Sequence, residues 1–223
     1  MKITECIKTS EAQNHEQYSS FGERMRPRCF NELLLSDSKI EKLNRMFVKR
    51  DPQNMILVGA PGSGKTSCAR LFQRCEDFHF HSTEIALVNT PKDLQRQLTA
   101  FAQSRSVFFK KKIIFLDEID LLATSAQSFL RPLIENYSDN CRFIMTANSI
   151  EKIDVPLRSR CIQIDFTYKS SEIDKLIDKM ISTAKCRLRE ASAEIPDKKI
   201  RQITCDYFPD FRAISNQLEY EML

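Results

Sequence analysis

Three of the four glycines in this 223-residue chain lie between positions 59 and 64. A lysine and a threonine follow directly, so that residues 59–66 (Gly-Ala-Pro-Gly-Ser-Gly-Lys-Thr) fit the pattern G-x-x-x-x-G-K-[ST]. A short apolar run, residues 54–58, precedes the loop, and a helical pattern follows from Lys65 to about Arg74. A loop in this context presents backbone N–H groups and the positive end of a helix dipole to an anion. The sequence therefore predicts a phosphate-binding loop.

The residue types in the loop suit a nucleotide and a metal ion. Glycines let the backbone N–H groups turn toward phosphates without a Cβ in the way. In this motif the side chain of Lys65 is expected to reach the β- and γ-phosphates, and the Thr66 hydroxyl to bind Mg²⁺. The expected nucleotide contacts in the loop are Gly59, Pro61, Gly62, Ser63, Gly64, Lys65, Thr66 and Ser67.

A second motif places two carboxylates at the end of an apolar run. Residues 113–116 (Ile-Ile-Phe-Leu) predict a buried strand, and Asp117 and Glu118 follow it directly. Ligands of open α/β sheets bind at the carboxyl ends of the strands. We therefore expect Asp117 to hold Mg²⁺ through water and Glu118 to orient the water that attacks the phosphate. Taken alone, the pair is also compatible with a solvated turn.

The composition narrows the class of protein. Hydrophobic residues make up 42% and charged residues 29% of the chain, which excludes wholesale disorder. The formal net charge of +4 gives only a weak preference for polyanions. The eight cysteines form no Cys-x-x-Cys pair and the three histidines complete no zinc pattern, so we expect buried, reduced thiols. There is no signal-peptide pattern and no apolar run near the ~20 residues that span a bilayer, so we expect a protein that is neither secreted nor inserted in a membrane.

Strand and helix patterns alternate over the first two thirds of the chain. This order is typical of a parallel sheet with helices on both sides. The predicted strands cover residues 54–58, 77–82, 113–116, 143–146 and 161–166. After Phe166 only helical patterns remain. We expect a flexible leader over residues 1–20, an α/β nucleotide-binding domain over 21–167 and a helical domain over 168–223.

Further segments resemble the motifs of one protein family. They are Glu23-Arg24-Met25-Arg26-Pro27, Glu135-Asn136-Tyr137-Ser138, Thr146-Ala147-Asn148, Ser159-Arg160-Cys161 and Phe208-Pro209-Asp210-Phe211-Arg212. With the glycine loop, Asp117 and Glu118, they are similar to the motifs of AAA+ ATPases, among which a Ser-Arg-Cys triplet marks clamp loaders. The chain resembles the small ATPase subunits of clamp loaders, in particular those of T4-type phages, over about residues 21–220.

The resemblance implies a fold, cofactors and partners. The expected fold is an AAA+ P-loop NTPase with a five-stranded parallel sheet and a small all-helical lid domain, here without the collar domain of the family. The implied cofactors are ATP and Mg²⁺. The implied partners are other AAA+ clamp-loader subunits, a sliding clamp and primer-template DNA. The implied location is the cytoplasm, that of the host if the protein is viral, or a nuclear-type replication compartment.

The resemblance also assigns roles to single residues. Asn148 corresponds to sensor 1, which touches the γ-phosphate or the attacking water, and Arg212 to sensor 2. Arg160 corresponds to an arginine finger that acts on ATP held by the next subunit. Arg26 and Pro27 correspond to the lining of the adenine pocket. Each of the three arginines also has a plain alternative, namely a surface charge for Arg160 and Arg212 and an ordinary loop for Arg26.

Contacts with DNA are expected from the helix that follows the carboxylate motif. In the family such helices point their N-termini at the DNA backbone, and the matching residues are Thr124, Ser125 and Gln127. Hydroxyls and free N–H groups suit phosphates without reading base sequence. A plain helix cap is the alternative. The basic run at residues 110–112 is expected to be a solvated loop.

Two residues depart from the family pattern. Met25 stands where the family usually has tyrosine, which affects the expected adenine contact. Pro132 falls within a predicted helix, so that this helix must kink or start late.

The functional hypothesis is an ATP-hydrolysing subunit that uses ATP to load a sliding clamp onto primer-template DNA. The alternatives are another AAA+ ATPase of DNA replication, such as a helicase loader, and a non-catalytic module that binds nucleotide to hold a shape.

Overall fold

The computed structural model describes residues 20–104 and 111–223 of the chain. Most of the predicted leader, together with Lys110 of the basic run, lies outside the described residues. The described chain forms two compact units. The α/β unit comprises residues 37–61 and 65–167, and the helical unit comprises residues 20–36, 62–64 and 168–223.

The α/β unit is built on a five-stranded sheet whose strands are all parallel, as predicted. The spatial order of the strands is β2-β3-β4-β1-β5. The strands are β1 (Met55–Val58), β2 (Phe78–Glu84), β3 (Lys111–Asp117), β4 (Cys141–Ala147) and β5 (Ile162–Asp165). All residues of β1, an interior strand between β4 and β5, are buried, as expected for a strand covered on both faces.

Six α-helices belong to the described part of the α/β unit. They are α2 (Asp37–Val48), α3 (Lys65–Gln73), α4 (Pro91–Gln103), α5 (Thr124–Gln127), α6 (Leu130–Asn136) and α7 (Val155–Arg158). A core on one face of the sheet joins strand residues such as Ile114 and Phe143 to Leu94 and Leu98 of α4. Burial of each of these side chains contributes roughly 1.5–3 kcal/mol relative to its exposure.

Pro132 has a simple consequence for the helix in which it was predicted. The helical segment is interrupted after Gln127, and α6 starts at Leu130. Pro132 thus lies in the first turn of α6, where a missing N–H removes no hydrogen bond within the helix. Of the two possibilities left open by the sequence, the structure contains the late start.

The described residues of the basic run, Lys111 and Lys112, do not form a solvated loop. Lys111 and Lys112 belong to β3, and Lys112 is only 2% exposed. The Lys112 ammonium donates to the carbonyl oxygens of Phe101 and Ala102 at 2.8 and 3.1 Å. These carbonyls lie in the last turn of α4, where a cation satisfies acceptors that have no partner within the helix.

The helical unit contains four α-helices among its described residues. They are α1 (Phe21–Met25), α8 (Ser170–Glu190), α9 (Asp197–Tyr207) and α10 (Phe211–Glu221). Their apolar faces form one core, which includes Met25, Met180, Ile203 and Ile214. Met25, which stands where the resembling family has tyrosine, is fully buried in this core. No helix among the described residues is long and apolar enough to cross a membrane.

Candidate nucleotide site

The sheet topology brings three predicted site segments to one edge of the α/β unit. Strands β3, β4 and β1 are adjacent, and in the parallel sheet their carboxyl ends lie on the same side. Val58 at the end of β1 pairs with Ala147 at the end of β4, and Leu116 of β3 pairs with Met145. The residues that follow these strands therefore lie side by side, which is where α/β proteins bind ligands.

Lys65 connects the glycine loop to the end of β4. Its side chain is buried at 6% exposure, and its ammonium donates to the carbonyl oxygens of Gly59 and Ala60, both at 2.8 Å. The same ammonium donates to Oδ1 of Asn148 at 3.1 Å. The predicted phosphate-binding lysine and the predicted sensor 1 are thus in contact, although they lie far apart in sequence.

Asp117 lies at the centre of a second group of polar contacts. The hydroxyl of Thr66 donates to its two carboxylate oxygens, at 3.0 and 3.1 Å. Thr146 of β4 donates to Oδ1 of Asp117 at 2.5 Å. Thr66 and Asp117, the two residues predicted to bind Mg²⁺, are therefore in contact. Thr146, on the neighbouring strand, holds the carboxylate of Asp117. Sequence reasoning did not assign Thr146 to the site; its only signal was its position two residues before Asn148.

Glu118 has an unusual backbone conformation. Its φ of 59° and ψ of 48° place it in the left-handed region, which a residue other than glycine adopts at a cost of about 1–3 kcal/mol. Its N–H donates to the hydroxyl of Thr146 at 2.8 Å, which holds the strained turn, and its side chain is exposed. Thr146 thus orients both carboxylate residues of the motif. Strain of this kind occurs preferentially at functional sites.

The residues of the glycine loop fit a bound triphosphate. Gly62 and Gly64 adopt φ values of 73° and 97°, so the loop needs glycine at these positions. The Ser63 hydroxyl is buried and, within the described chain, has no hydrogen-bond partner. A phosphate oxygen would satisfy that donor. ATP would be held by residues 59–67, and its Mg²⁺ by Thr66 and Asp117.

The described ranges contain no group of three or more His, Cys, Asp or Glu side chains able to hold a metal ion by themselves. Magnesium typically binds through one or two protein ligands together with substrate phosphates and water. The pair Thr66 and Asp117 matches that mode, and therefore the expected metal depends on the nucleotide.

The helical unit positions Arg212 through the start of α10. The N–H of Phe211 donates to the carbonyl oxygen of Gly62 at 3.0 Å. Asp210 caps the helix by accepting from the N–H groups of Arg212 and Ala213 at 2.9 and 3.0 Å. Arg212, the predicted sensor 2, is therefore adjacent in sequence to a residue bonded to the glycine loop, and its side chain is exposed.

Arg26 and Pro27 also belong to the helical unit. They directly follow α1, with Pro27 buried and Arg26 partly buried. Arg26 pairs with Glu23 one turn earlier, at 2.7 Å. The predicted adenine contacts therefore come from the same unit as the predicted sensor 2.

Arg160 follows α7 and is held by a carboxylate. Its guanidinium bonds Glu135 of α6 through Nε at 2.7 Å and also through Nη2. Nη1 donates to the carbonyl oxygen of Pro156 at 2.6 Å. Burial raises the pKa of the adjacent Cys161 to about 12, although the Arg160 charge opposes that shift. The predicted finger is thus paired with Glu135 within this chain, and its neighbour is a thiol of raised pKa.

The predicted DNA contacts divide into two kinds. Thr124 and Ser125, at the start of α5, are exposed. Gln127 is fully buried: its amide donates to the carbonyl oxygens of Leu122 and Lys152, and its Oε1 accepts from Asp154 N–H at 2.9 Å. The prediction that Gln127 contacts DNA is therefore wrong, because its side chain joins two loops inside the unit.

The comparisons with known proteins agree with this site. The sequence matches the ATPase family associated with various cellular activities (AAA) over residues 55–168, a range that holds the glycine loop, Asp117, Glu118, Asn148 and Arg160. The chain belongs to this AAA ATPase family, and the predicted membership is confirmed.

Two similar proteins are named as a sliding-clamp-loader subunit and a replication factor C subunit. The chain is 33% identical over 206 residues to the sliding-clamp-loader large subunit of Escherichia phage RB69, covering 88% of this chain and 62% of that protein. It is 32% identical over 157 residues to the replication factor C small subunit of Archaeoglobus fulgidus, covering 68% of this chain and 49% of that protein. The chain thus spans between about half and three fifths of these relatives.

Solved structures show the same fold at lower sequence identity. The Thermotoga maritima RuvB Holliday junction branch migration motor superposes with a TM-score of 0.64 at 21% identity, covering 88% of this chain and 64% of that chain. The predicted AAA+ P-loop fold with a helical C-terminal region is confirmed.

Proposed function

We propose that this chain binds ATP with Mg²⁺ at the glycine loop and hydrolyses it, with Glu118 orienting the attacking water. The observation that carries the proposal is the group of contacts at the sheet edge, where Lys65 meets Asn148 and Thr66 meets Asp117. Positioning and charge stabilisation supply almost all catalysis of phosphoryl transfer. Bound ATP supplies the phosphoanhydride bond that is broken.

The chain's own residues divide this work among them. Lys65 and the loop N–H groups neutralise phosphate charge, and Asn148, bonded to Lys65, presents an amide at the same edge. Asp117 and Thr66 hold the metal ion. Glu118 keeps an exposed carboxylate on a backbone that Thr146 holds through the N–H of Glu118, so that the backbone from which the carboxylate projects is fixed.

Substitution of Glu118 by glutamine tests the hydrolytic role. Glu118→Gln retains the shape and removes the base, and we expect it to bind ATP as the wild type does and to retain it unhydrolysed. Analysis of nucleotide co-purified or captured on a filter, by chromatography, distinguishes ATP from ADP. ADP formation by Glu118→Gln at the wild-type rate would contradict the role of Glu118, and absence of ADP formation by the wild type itself would favour the non-catalytic alternative.

We further propose that Arg160 completes the site of a neighbouring subunit. The support is its Ser-Arg-Cys context, and its guanidinium is paired with Glu135 at the surface of this chain. An arginine finger contributes about 10³–10⁵ in rate where it operates. Arg160→Ala should keep ATP affinity and lose stimulated turnover, whereas Lys65→Ala should lose affinity. Mixing the two inactive variants in one assembly should return activity, because Lys65→Ala chains still carry the finger.

The proposed biological role is loading of a sliding clamp onto primer-template DNA together with other clamp-loader subunits. The support is the similarity to proteins named as clamp-loader and replication factor C subunits. Exposed Thr124 and Ser125 at the start of α5 are proposed to meet the DNA backbone. ATPase activity should rise when a cognate sliding clamp and primed DNA are added together. Stimulation by a replicative helicase instead would favour the helicase-loader alternative.

A further inference from the structure

The segment that carries Arg26 and Pro27, residues 20–36, is part of the helical unit although it begins the described chain. Its apolar side chains Phe21, Met25 and Leu34 are at most 3% exposed and pack in the same core as the residues of α8. The backbone around the predicted adenine contacts is therefore tied to a helix more than a hundred residues later in the sequence.

Four alternating charges join this segment to the end of α8. Arg28 and Glu32 lie on the segment, and Arg187 and Glu190 lie on α8. Arg28 binds both carboxylate oxygens of Glu190, at 3.1 and 2.9 Å. Arg187 binds Glu32 at 2.7 Å and Glu190 at 3.2 Å. Glu32 also accepts from the backbone N–H of Arg28 at 2.9 Å, which fixes the turn after Pro27.

Arg187 is the buried member of this cluster. Its residue exposure is 4%, whereas the side chains of the other three are 26–43% exposed. A guanidinium removed from water requires charged partners in good geometry, and loss of one partner leaves the other uncompensated. Burial raises the pKa of Glu190, but the charges of Arg187 and Arg28 outweigh it and hold that pKa below its usual value. These charges therefore favour the ionised carboxylate of Glu190.

A hydrogen bond also joins α8 to the backbone of this segment. Lys179, two turns before Arg187 on α8, donates from its ammonium to the carbonyl oxygen of Leu33 at 2.6 Å. The helix thus holds both a side chain and the backbone of the segment. Arg26 and Pro27 lie between Met25, anchored in the apolar core, and Arg28, anchored in the charge cluster.

We propose that Arg187 is a positioning residue for nucleotide recognition, which acts by holding Arg26 and Pro27 where the base binds. The inference rests on the proposed binding of ATP and on the expectation from the family resemblance that these two residues contact adenine. It adds that α8 of the helical unit positions the residues that contact the base. Removal of Arg187 should then weaken the contribution of the base to binding and leave the contribution of the phosphates intact.

Inorganic tripolyphosphate separates these two contributions, because it carries the phosphates without the base. The affinities of the full chain for ATP and for tripolyphosphate, both with Mg²⁺, are measured by calorimetric titration. For Arg187→Met we expect the Kd for ATP to rise about tenfold, which corresponds to loss of ~1.4 kcal/mol, with the Kd for tripolyphosphate unchanged. Arg187→Lys keeps the charge but not the planar guanidinium, so its Kd for ATP should lie between those of the wild type and Arg187→Met.

A matched control is available on the same unit. Arg201 pairs with Asp178 at 3.3 Å with both side chains 64% exposed, so Arg201→Met should change neither affinity. An unchanged ATP affinity in Arg187→Met, or an equal loss for both ligands, would overturn the positioning role.

One fallback variant and two further outcomes also decide the question. If Arg187→Met does not fold, Glu32→Gln tests the same link, because it removes the partner's charge and keeps its shape. If the wild type binds ATP no better than tripolyphosphate, the expected contact of Arg26 and Pro27 with the base is wrong and this inference fails with it, whereas the proposed phosphate binding stands. If the wild type prefers ATP and Glu32→Gln retains that preference, only the inference fails.

Discussion

The hydroxyl of Thr66 lies 3.0 and 3.1 Å from the two carboxylate oxygens of Asp117 and donates to them. This relationship joins the first turn after the glycine loop to the end of β3. The two positions are 51 residues apart in the sequence, and only the parallel sheet brings them together. Both are oxygen ligands of the kind that Mg²⁺ prefers.

The first prediction concerns the metal dependence of ATP binding. Thr66→Val keeps the branched shape and removes the hydroxyl, so we expect the ATP affinity in the presence of Mg²⁺ to fall about tenfold or more, by analogy with losses at metal sites. Affinity without Mg²⁺ should change little. Titrations with and without EDTA measure both values. Thr66→Ser is the control and should behave as the wild type, and an undiminished Mg²⁺ effect in Thr66→Val would contradict the assignment.

Thr146 should contribute to both stability and activity. It is fully buried, donates to Asp117 and accepts from the N–H of Glu118. Thr146→Val removes one of the two hydroxyl partners of Asp117 and the acceptor of the Glu118 N–H, which costs about 1–3 kcal/mol. Urea denaturation measures the free energy of unfolding, and Thr146→Ser should retain most of it. A Thr146→Val protein as stable and as active as the wild type would show that the hydroxyl has no such role.

Glu118 should show a conflict between stability and activity. Glycine adopts the left-handed conformation of Glu118 without strain. Glu118→Gly should therefore raise the free energy of unfolding by up to about 1 kcal/mol and abolish hydrolysis. Glu118→Ala is the matched comparison, since it removes the carboxylate but keeps the strained Cβ. Equal stability of the two variants would argue against backbone strain at this position.

Gly62 and Gly22 give opposite predictions for the same substitution. A Cβ on Gly62 would lie 1.9 Å from a carboxylate oxygen of Asp210, at a φ of 73°. Gly62→Ala should therefore destabilise the chain by about 1–3 kcal/mol. A Cβ on Gly22, in α1, would have its nearest neighbour at 3.6 Å, so Gly22→Ala should be neutral or stabilise by up to ~1 kcal/mol. Thermal melts of both variants check the pair; a loss at both positions would refute the distinction.

Thiol reactivity should follow burial. Burial raises the pKa of Cys161 to about 12, so that fewer than about one in a thousand of these thiols is ionised at pH 8. The exposed Cys186 and Cys205 should react with a maleimide first. Raising the pH toward 12 ionises Cys161, but access is still limited by its partial burial. Mass spectrometry of labelled peptides identifies the sites. Modification of Cys161 before Cys186 in the folded protein would contradict the structure.

Local patterns were sufficient to predict the sheet and the glycine loop. The strand β1 and the loop after it are specified by contiguous residues, since a short apolar run and three glycines constrain the backbone directly. Asp117 was found because it follows a predicted strand, whereas Asn148 was assigned from the family resemblance. Their common edge then follows from the parallel order of the strands.

Other features depend on partners that no local pattern reveals. Gln127 looks like a polar residue at a helix start, but its amide bonds three backbone groups, one of them five residues earlier and the other two 25 and 27 residues later in the sequence. Lys112 looks like a solvated charge, but the end of α4 supplies its acceptors. The strain at Glu118 likewise depends on Thr146 from another strand. Buried polar groups require partners, and tertiary structure decides which ones they find.

The central claim is that Lys65, Thr66 and Asp117 together bind ATP with Mg²⁺. Its most direct test is calorimetric titration of the wild type and Lys65→Ala with ATP, each with and without Mg²⁺. We expect saturable ATP binding by the wild type that strengthens with Mg²⁺, and a loss of affinity of at least about tenfold in Lys65→Ala. Absence of Mg²⁺-dependent ATP binding by the wild type, or equal binding by the two proteins, would contradict the account.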